Sequence, residues 1–289
     1  MINKLRFVSI FLLTGVGLFG FHLMNAVAAT PTVILTTHAR CMLGHVVNER
    51  LVPTDETKKL SKSFTSPKQY NLYSLSDSIT SLGATELVLQ EYPCHTRYYV
   101  KFDKDVPNNY IAVGNANWNP QPRPVKSLST NNAAYKAAIT DLLQQNGLIN
   151  PKVRILQVLK TDIQGDGKDE VFISATYFTA RPNGPDIEHA PMYAKKGDYS
   201  IVAYREVINE KAVTKLVTGN IFQTTPKSDE PLMPPPAPYE YHINAILDLD
   251  GDGVMDIVID NTIHEGIGSE VFSLKNGKFE LVADCGCGF

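Results

Sequence analysis

The chain has 289 residues, 43% hydrophobic and 20% charged, with a formal net charge of −3. That is enough material for a sizeable core in one or two domains. The mildly acidic balance, with no basic block, argues against a nucleic-acid partner.

Lys4 and Arg6 precede an apolar run over residues 7–23, and Ala26-Val27-Ala28 follows. This charged, apolar and small-residue order is that of a secretory signal peptide, with cleavage expected after about Ala28. The run is also long enough to stay as a membrane anchor. His22, Asn25 and the small-residue exit favour cleavage, and no Cys stands at the cleavage point to take a lipid. Loss of Lys4 and Arg6 would move the net charge from −3 to −5. The expected destination is secreted or periplasmic, with no membrane span once the segment is removed.

Residues 29–125 read as a β-rich N-terminal region. Strands are expected at 33–37, 86–90, 97–102 and 110–113, and a polar stretch at 54–69 reads as loop or short helix. Tyr98, Val100 and Phe102 alternate with Tyr99 and Lys101, as on a half-buried strand. Asn119-Pro-Gln-Pro-Arg-Pro124 loses three backbone donors to proline and reads as a connector and a boundary. Trp118 beside it reads as a packing residue. The four cysteines, Cys41, Cys94, Cys285 and Cys287, suggest disulfides in an exported chain. The first pairing to expect is Cys41 with Cys94. Cys285 and Cys287 can close a small ring or each pair upstream. His38, His45 and His95 lie near these cysteines, but an oxidising setting favours a disulfide over zinc.

Residues 126–289 begin with the one clear helix. Thr130 or Asn131 can cap it, and Tyr135, Ala138, Ile139, Leu142 and Leu143 form one buried stripe. Gly147 suits a left-handed C-terminal position, and Pro151 forbids continuation.

The chain then repeats itself, over about 153–218 and 241–283. A shift of 86 places Asp162, Gly165, Asp166 and Gly167 on Asp248, Gly251, Asp252 and Gly253, and Glu170 on Asp256. Each copy reads as four strands with an acidic loop between the first two. Asn276-Gly277 is a hairpin signal. The stretch 225–239, with six prolines, is an irregular insertion between the copies. In the second copy Asp248, Asp250, Asp252 and Asp256 occupy positions 1, 3, 5 and 9 of the loop, with Gly at 4 and 6. Such crowded carboxylates repel until a hard cation reverses the interaction, and oxygen ligands suit Ca²⁺. An EF-hand would need an acid at position 12, where Ile259 and Ile173 stand, and its flanks would be helical.

Strand, Asp-x-Asp-x-Asp-Gly-x-x-Asp, strand resembles the FG-GAP or VCBS-type repeat, the blade of integrin-like β-propellers and of many exported bacterial proteins. The resemblance covers about half the mature chain. With the helix and the N-terminal β-rich region read above, the expected fold is mainly β with one clear helix, and the resemblance implies that its two four-stranded units are propeller-blade-like. It also implies Ca²⁺ held by Asp248, Asp250, Asp252, the Val254 carbonyl and Asp256. The first loop would offer Asp162, Gln164, Asp166, the Lys168 carbonyl and Glu170. Gln164 replaces a charged ligand there and Lys168 brings a cation close, so the first site should be the weaker. A closed propeller takes at least four blades, and two copies are evident.

His264-Glu265 lacks the second histidine of a zinc-protease motif, Gly266-x-Gly268 reads as a turn, and Ser61, Ser63 and Ser66 carry no nucleophile pattern. The expectation is an exported calcium-binding protein, non-enzymatic, that binds a protein or glycan. The alternative is a secreted hydrolase with structural calcium and an active site in the N-terminal region.

Overall fold

The computed structural model describes residues 30–54, 60–61, 64–75, 80–91, 97–180, 190–227 and 235–288. The expected signal peptide, Cys94 and His95 lie outside them.

Strand side chains point alternately to opposite faces, so a strand apolar at every position must be covered twice. Strand β1 (Thr32–Thr36) is buried throughout. Val33 and Leu35 enter one core with Met42, Tyr70 and Ala112. Ile34 enters another with Cys41, Leu43, Ile111 and Val113. Its sheet also contains β2 (Cys41–Val46), β3 (Leu51–Pro53), β4 (Gln69–Tyr73), β5 (Thr80–Gln90), β6 (Arg97–Phe102) and β7 (Ile111–Gly114). The order is β3-β2-β1-β7-β4-β5-β6. The sheet curls on itself, so that Tyr98 and Val100 of β6 share a core with Val33 and Met42.

Helix α1 (Ala133–Gln145) follows. Its N-cap is Asn132, one residue beyond the expected Thr130 or Asn131, because the Asn132 Oδ1 accepts the Ala134 N–H at 2.8 Å. Such a cap is worth about 1 kcal/mol. The buried positions are Ala138, Ile139, Leu142 and Leu143. Gly147 ends the helix at φ +87, and its N–H bonds Gln144 O.

Two antiparallel meanders complete the chain. The first comprises β9 (Ile155–Thr161), β10 (Glu170–Tyr177), β11 (Tyr199–Ile208) and β12 (Lys211–Ile221), with short β8 (Lys126–Ser127) added beside β9. The second comprises β13 (Glu240–Leu247), β14 (Asp256–Ile263), β15 (Gly266–Lys275) and β16 (Lys278–Gly288) in sequential order. In each, the acidic loop joins the first strand to the second. Asn276 and Gly277 have φ +51 and +73, and Asn209 and Glu210 have φ +48 and +63. These are the left-handed pairs that two-residue hairpin turns require.

Alternation along the strands stacks these parts in layers. Ile139 and Leu143 of α1 pack on Ile173, Tyr199 and Ile201 of the first meander. The opposite face of that meander, through Phe172, Val202 and Tyr204, packs on Ile243, Ile246 and Ile257 of the second. The second meander turns Ala245, Leu247, Val258 and Val271 towards Ile34 and Leu43 of the first sheet. The two meanders are also latched by a side chain that mimics a strand. Gln157 donates to Ile243 O at 2.9 Å and accepts from Ile243 N at 2.8 Å.

One covalent bond crosses these layers. Cys41 is joined to Cys285 with Cα atoms 6.2 Å apart. This corrects the expected Cys41–Cys94 pair: β2 and β16 face each other across the shared core, and that proximity comes from layer packing rather than from nearness in sequence. Cys287 is disulfide-bonded as well, and Cys285 closes no ring with it. No helix among the described residues is long and apolar enough to cross a membrane.

Candidate metal centre

Both acidic loops share the bonds made by their first, fifth and ninth acids and differ at the fifth N–H, which donates to Asp162 in the first and to Asp250 in the second. The first-position carboxylate caps two glycine N–H groups. Asp248 Oδ1 accepts from Gly251 N at 2.7 Å and its Oδ2 from Gly253 N at 3.1 Å. Asp162 does the same for Gly165 at 2.6 Å and Gly167 at 2.8 Å. The fifth-position acid accepts from the seventh N–H, Asp252 from Val254 and Asp166 from Lys168. The ninth-position acid reaches back to the second N–H, Asp256 to Leu249 at 3.1 Å and Glu170 to Ile163 at 3.0 Å. All four loop glycines have φ between +74 and +86, a region that a Cβ makes costly.

The loops differ in what they offer a cation. Asp248, Asp250 and Asp252 each present an oxygen, and these oxygens lie within 4.8 Å of one another. Among the described residues no such set of three forms in the first loop. There Gln164 is exposed, and Lys168 Nζ sits 3.2 Å from Asp166 Oδ2, so a side-chain cation already partners that acid. Glu170 and Asp256 are both buried, and Asp256 also accepts from the Ser273 hydroxyl.

Burial, and then the neighbouring Asp252, push the Asp250 carboxyl up to about 6. Burial also raises Asp248, and raises fully enclosed Asp256 far above the usual carboxylate range. In the first loop burial raises Glu170, whereas hydrogen bonds from Lys168 lower exposed Asp166. The second loop thus concentrates negative charge that Arg123 offsets only in part, and its donor set is all oxygen. That fits a hard divalent ion.

Three features of this centre were not legible as chemistry in the sequence. Glu49, on the β2–β3 turn, joins Asp250, Asp252 and Ser273 around a cleft of about 340 Å³. Trp118 packs its ring over Gly251 and donates Nε1–H to Asp248 O at 2.9 Å. Arg123 bridges both loops. Its Nε bonds Asp162 O, and its Nη2 donates to Ile163 O and Gly253 O, each at 2.8 Å. The loops also touch directly, Met255 N donating to Ile163 O at 2.9 Å. The proline-rich connector is therefore a clamp over both acidic loops. Removing the guanidinium in Arg123→Ala takes a donor from buried Ile163 and leaves the Asp162 and Gly253 carbonyls to water, and is expected to cost about 2 kcal/mol. Urea unfolding in chelator is the measurement, and Arg123→Lys should recover little, since an ammonium lacks the fork.

A second polar cluster lies between the first sheet and the second meander. Ser269 donates to Asp260 Oδ1 at 2.6 Å, Asn244 to its Oδ2 at 2.5 Å, and His38 Nδ1 stands 3.8 Å from the same oxygen. Ser269 is fully enclosed, at 0% exposure. Next to it Asn261 donates to Glu270, whose carboxyl is pushed up to about 7, first by burial and then by Asp284. The folded protein thus holds this proton more tightly than the unfolded chain. The contribution of this group to stability therefore falls as pH rises from about 4.5 to about 7 and is constant above. Glu270→Gln should remove that decline, matching the parent at pH 4 and exceeding it by about 1 kcal/mol at pH 8 after allowance for solvent screening. Unfolding free energies at the two pH values check it.

No family model matches the chain, and no curated protein or solved structure matches it.

Proposed function

We propose that this is an exported calcium-binding protein in which Ca²⁺ rigidifies the acidic loops of two FG-GAP-like units, leaving the outer surface to bind a protein or glycan. The observation that carries the reading is the convergence of Asp248, Asp250 and Asp252 oxygens within 4.8 Å. Asp256 and the Val254 carbonyl are the remaining ligands of the second site. Asp162, Gln164, Asp166, Glu170 and the Lys168 carbonyl form a weaker first one. The face-to-face stacking of the two meanders, with matched loops at matched strand ends, supports the comparison with propeller blades. The Cys41–Cys285 bond supports an oxidising location outside the cytoplasm.

The hydrolase alternative asks for an activated hydroxyl near histidines and acids. In the cluster of His38 and Asp260, the Ser269 hydroxyl donates a hydrogen bond to a buried carboxylate and is itself fully enclosed, which places it poorly as a nucleophile.

The test is a calcium titration of chelator-stripped protein by calorimetry. Two sites of unequal affinity are expected, the tighter one lost in Asp250→Asn. Absence of heat at millimolar Ca²⁺ would remove the proposal.

A further inference from the structure

The end of the second meander opposite its acidic loop carries a different kind of site. β14 starts at Asp256 in the loop and ends at Ile263, a span of roughly 25 Å. Between the β14–β15 turn and the turn joining β1 to β2 lies a cleft of about 620 Å³, within the range of small-molecule sites. Its walls include His38, Arg40, Arg97, His264, Glu265 and Ile267.

Two of these side chains are short of partners. Half-buried Arg97 donates Nη1–H to Ala39 O at 2.8 Å, and Nε–H and Nη2–H to the Gln90 amide oxygen at 3.3 and 3.1 Å. All its acceptors are neutral, and these bonds use three of the five N–H groups of a guanidinium. Arg40 is exposed and sits on a backbone at φ +52, a left-handed conformation uncommon for a residue with a Cβ. Among the described residues no carboxylate lies within salt-bridge distance of either arginine. Burial first, and the Arg40 charge second, lower the proton affinity of Arg97. Two like charges, one of them half withdrawn from water, line the same cleft, and among the described residues neither is ion-paired. An oxyanion between them would reverse the sign of that interaction, and the planar guanidinium fork matches carboxylate and phosphate geometry.

We propose that this cleft binds a small organic anion, its carboxylate or phosphate held by Arg40 and Arg97 and its apolar body lying against Ile267. Glu265 in the same wall opposes negative charge beyond what the two guanidinium groups balance, so the site disfavours polyanions. Ca²⁺ plays no part in it, so the proposal stands or falls apart from the acidic loops.

Titration calorimetry with benzoate, phenyl phosphate and neutral benzyl alcohol tests it. At least one of the two anions should bind saturably at a single site in the millimolar range or below, and benzyl alcohol should not. Benzoate alone would assign a carboxylate ligand and phenyl phosphate alone a phosphate; binding of both would assign the shared oxyanion chemistry. Arg40→Gln alters an exposed side chain, so the fold should persist, and it should weaken binding roughly tenfold. Glu265→Gln should tighten it. Failure of both anions to saturate, or equal binding by the parent and Arg40→Gln, would overturn the proposal.

Discussion

Millimolar Ca²⁺ is expected to raise the melting temperature of the chelator-stripped protein by about 5–10 °C. A ligand at a hundred times its dissociation constant adds about 2.7 kcal/mol, and each kcal/mol shifts a chain of this size by about 2–4 °C. Asp250→Asn gives the sharper result, because its two effects have opposite signs. Without metal the Asp250 carboxylate is half withdrawn from water and faces Asp252 and Asp248. Replacing it with a neutral amide relieves repulsion and should raise the metal-free melting temperature. The same change removes one of the three converging oxygens' charges, so most of the Ca²⁺-dependent rise should vanish. A merely structural turn would give neither the rise nor the inversion. Asp248→Asn should behave differently, lowering the metal-free melting temperature as well, because that carboxylate caps the Gly251 and Gly253 N–H groups.

The parts of the fold legible in the sequence are those governed by local rules. Asn276-Gly277 announces its hairpin because both residues tolerate left-handed backbone, and both adopt it. The 86-residue shift locates both acidic loops because spacing alone brings positions 1, 5 and 9 onto the loop's own N–H groups. The helix stripe is likewise a matter of period. Strands covered on both faces were harder to read. β2 shows no alternation because Cys41 and Leu43 enter one core while Met42 enters another, and β3, β4 and β8 also escaped notice.

The clamp over the loops was missed for a physical reason. Three prolines remove backbone donors from the connector, which argues against regular structure, but they leave its carbonyls and side chains free to act. Pro120 O accepts from Asp248 N at 2.8 Å, and Arg123 reaches both loops. A segment without secondary structure can thus make specific contacts that its proline content does not announce. The arginine pair of the anion cleft had no signal either. Arg40 and Arg97 lie on different strands' ends, and only the curl of the first sheet brings them together.

The disulfide sets the other large effect. Cys41→Ala with Cys285→Ala is expected to lower stability by about 3–5 kcal/mol. The bond closes a loop with a sequence separation of 244, and although Cys287 is disulfide-bonded too and keeps part of that restraint, the entropy lost from the unfolded state grows with the loop that this bond alone closes. Both residues are altered together because a lone thiol left behind would be free to exchange. Since the effect lies mainly in the unfolded state, the urea m-value should rise as the stability falls, the released chain exposing more surface on unfolding. A simple loss of packing would lower the midpoint with m unchanged. The transition should remain single, because Ile34, Leu43, Leu247, Val258 and Val271 still join the first sheet to the second meander in one core. The Ca²⁺-dependent rise should also survive in the double variant: the bond touches none of the loop's oxygens, and independent sites contribute additively. Loss of the calcium response together with the disulfide would show instead that the first sheet holds the loop in its binding shape, through the contact of Leu51 with Asp250.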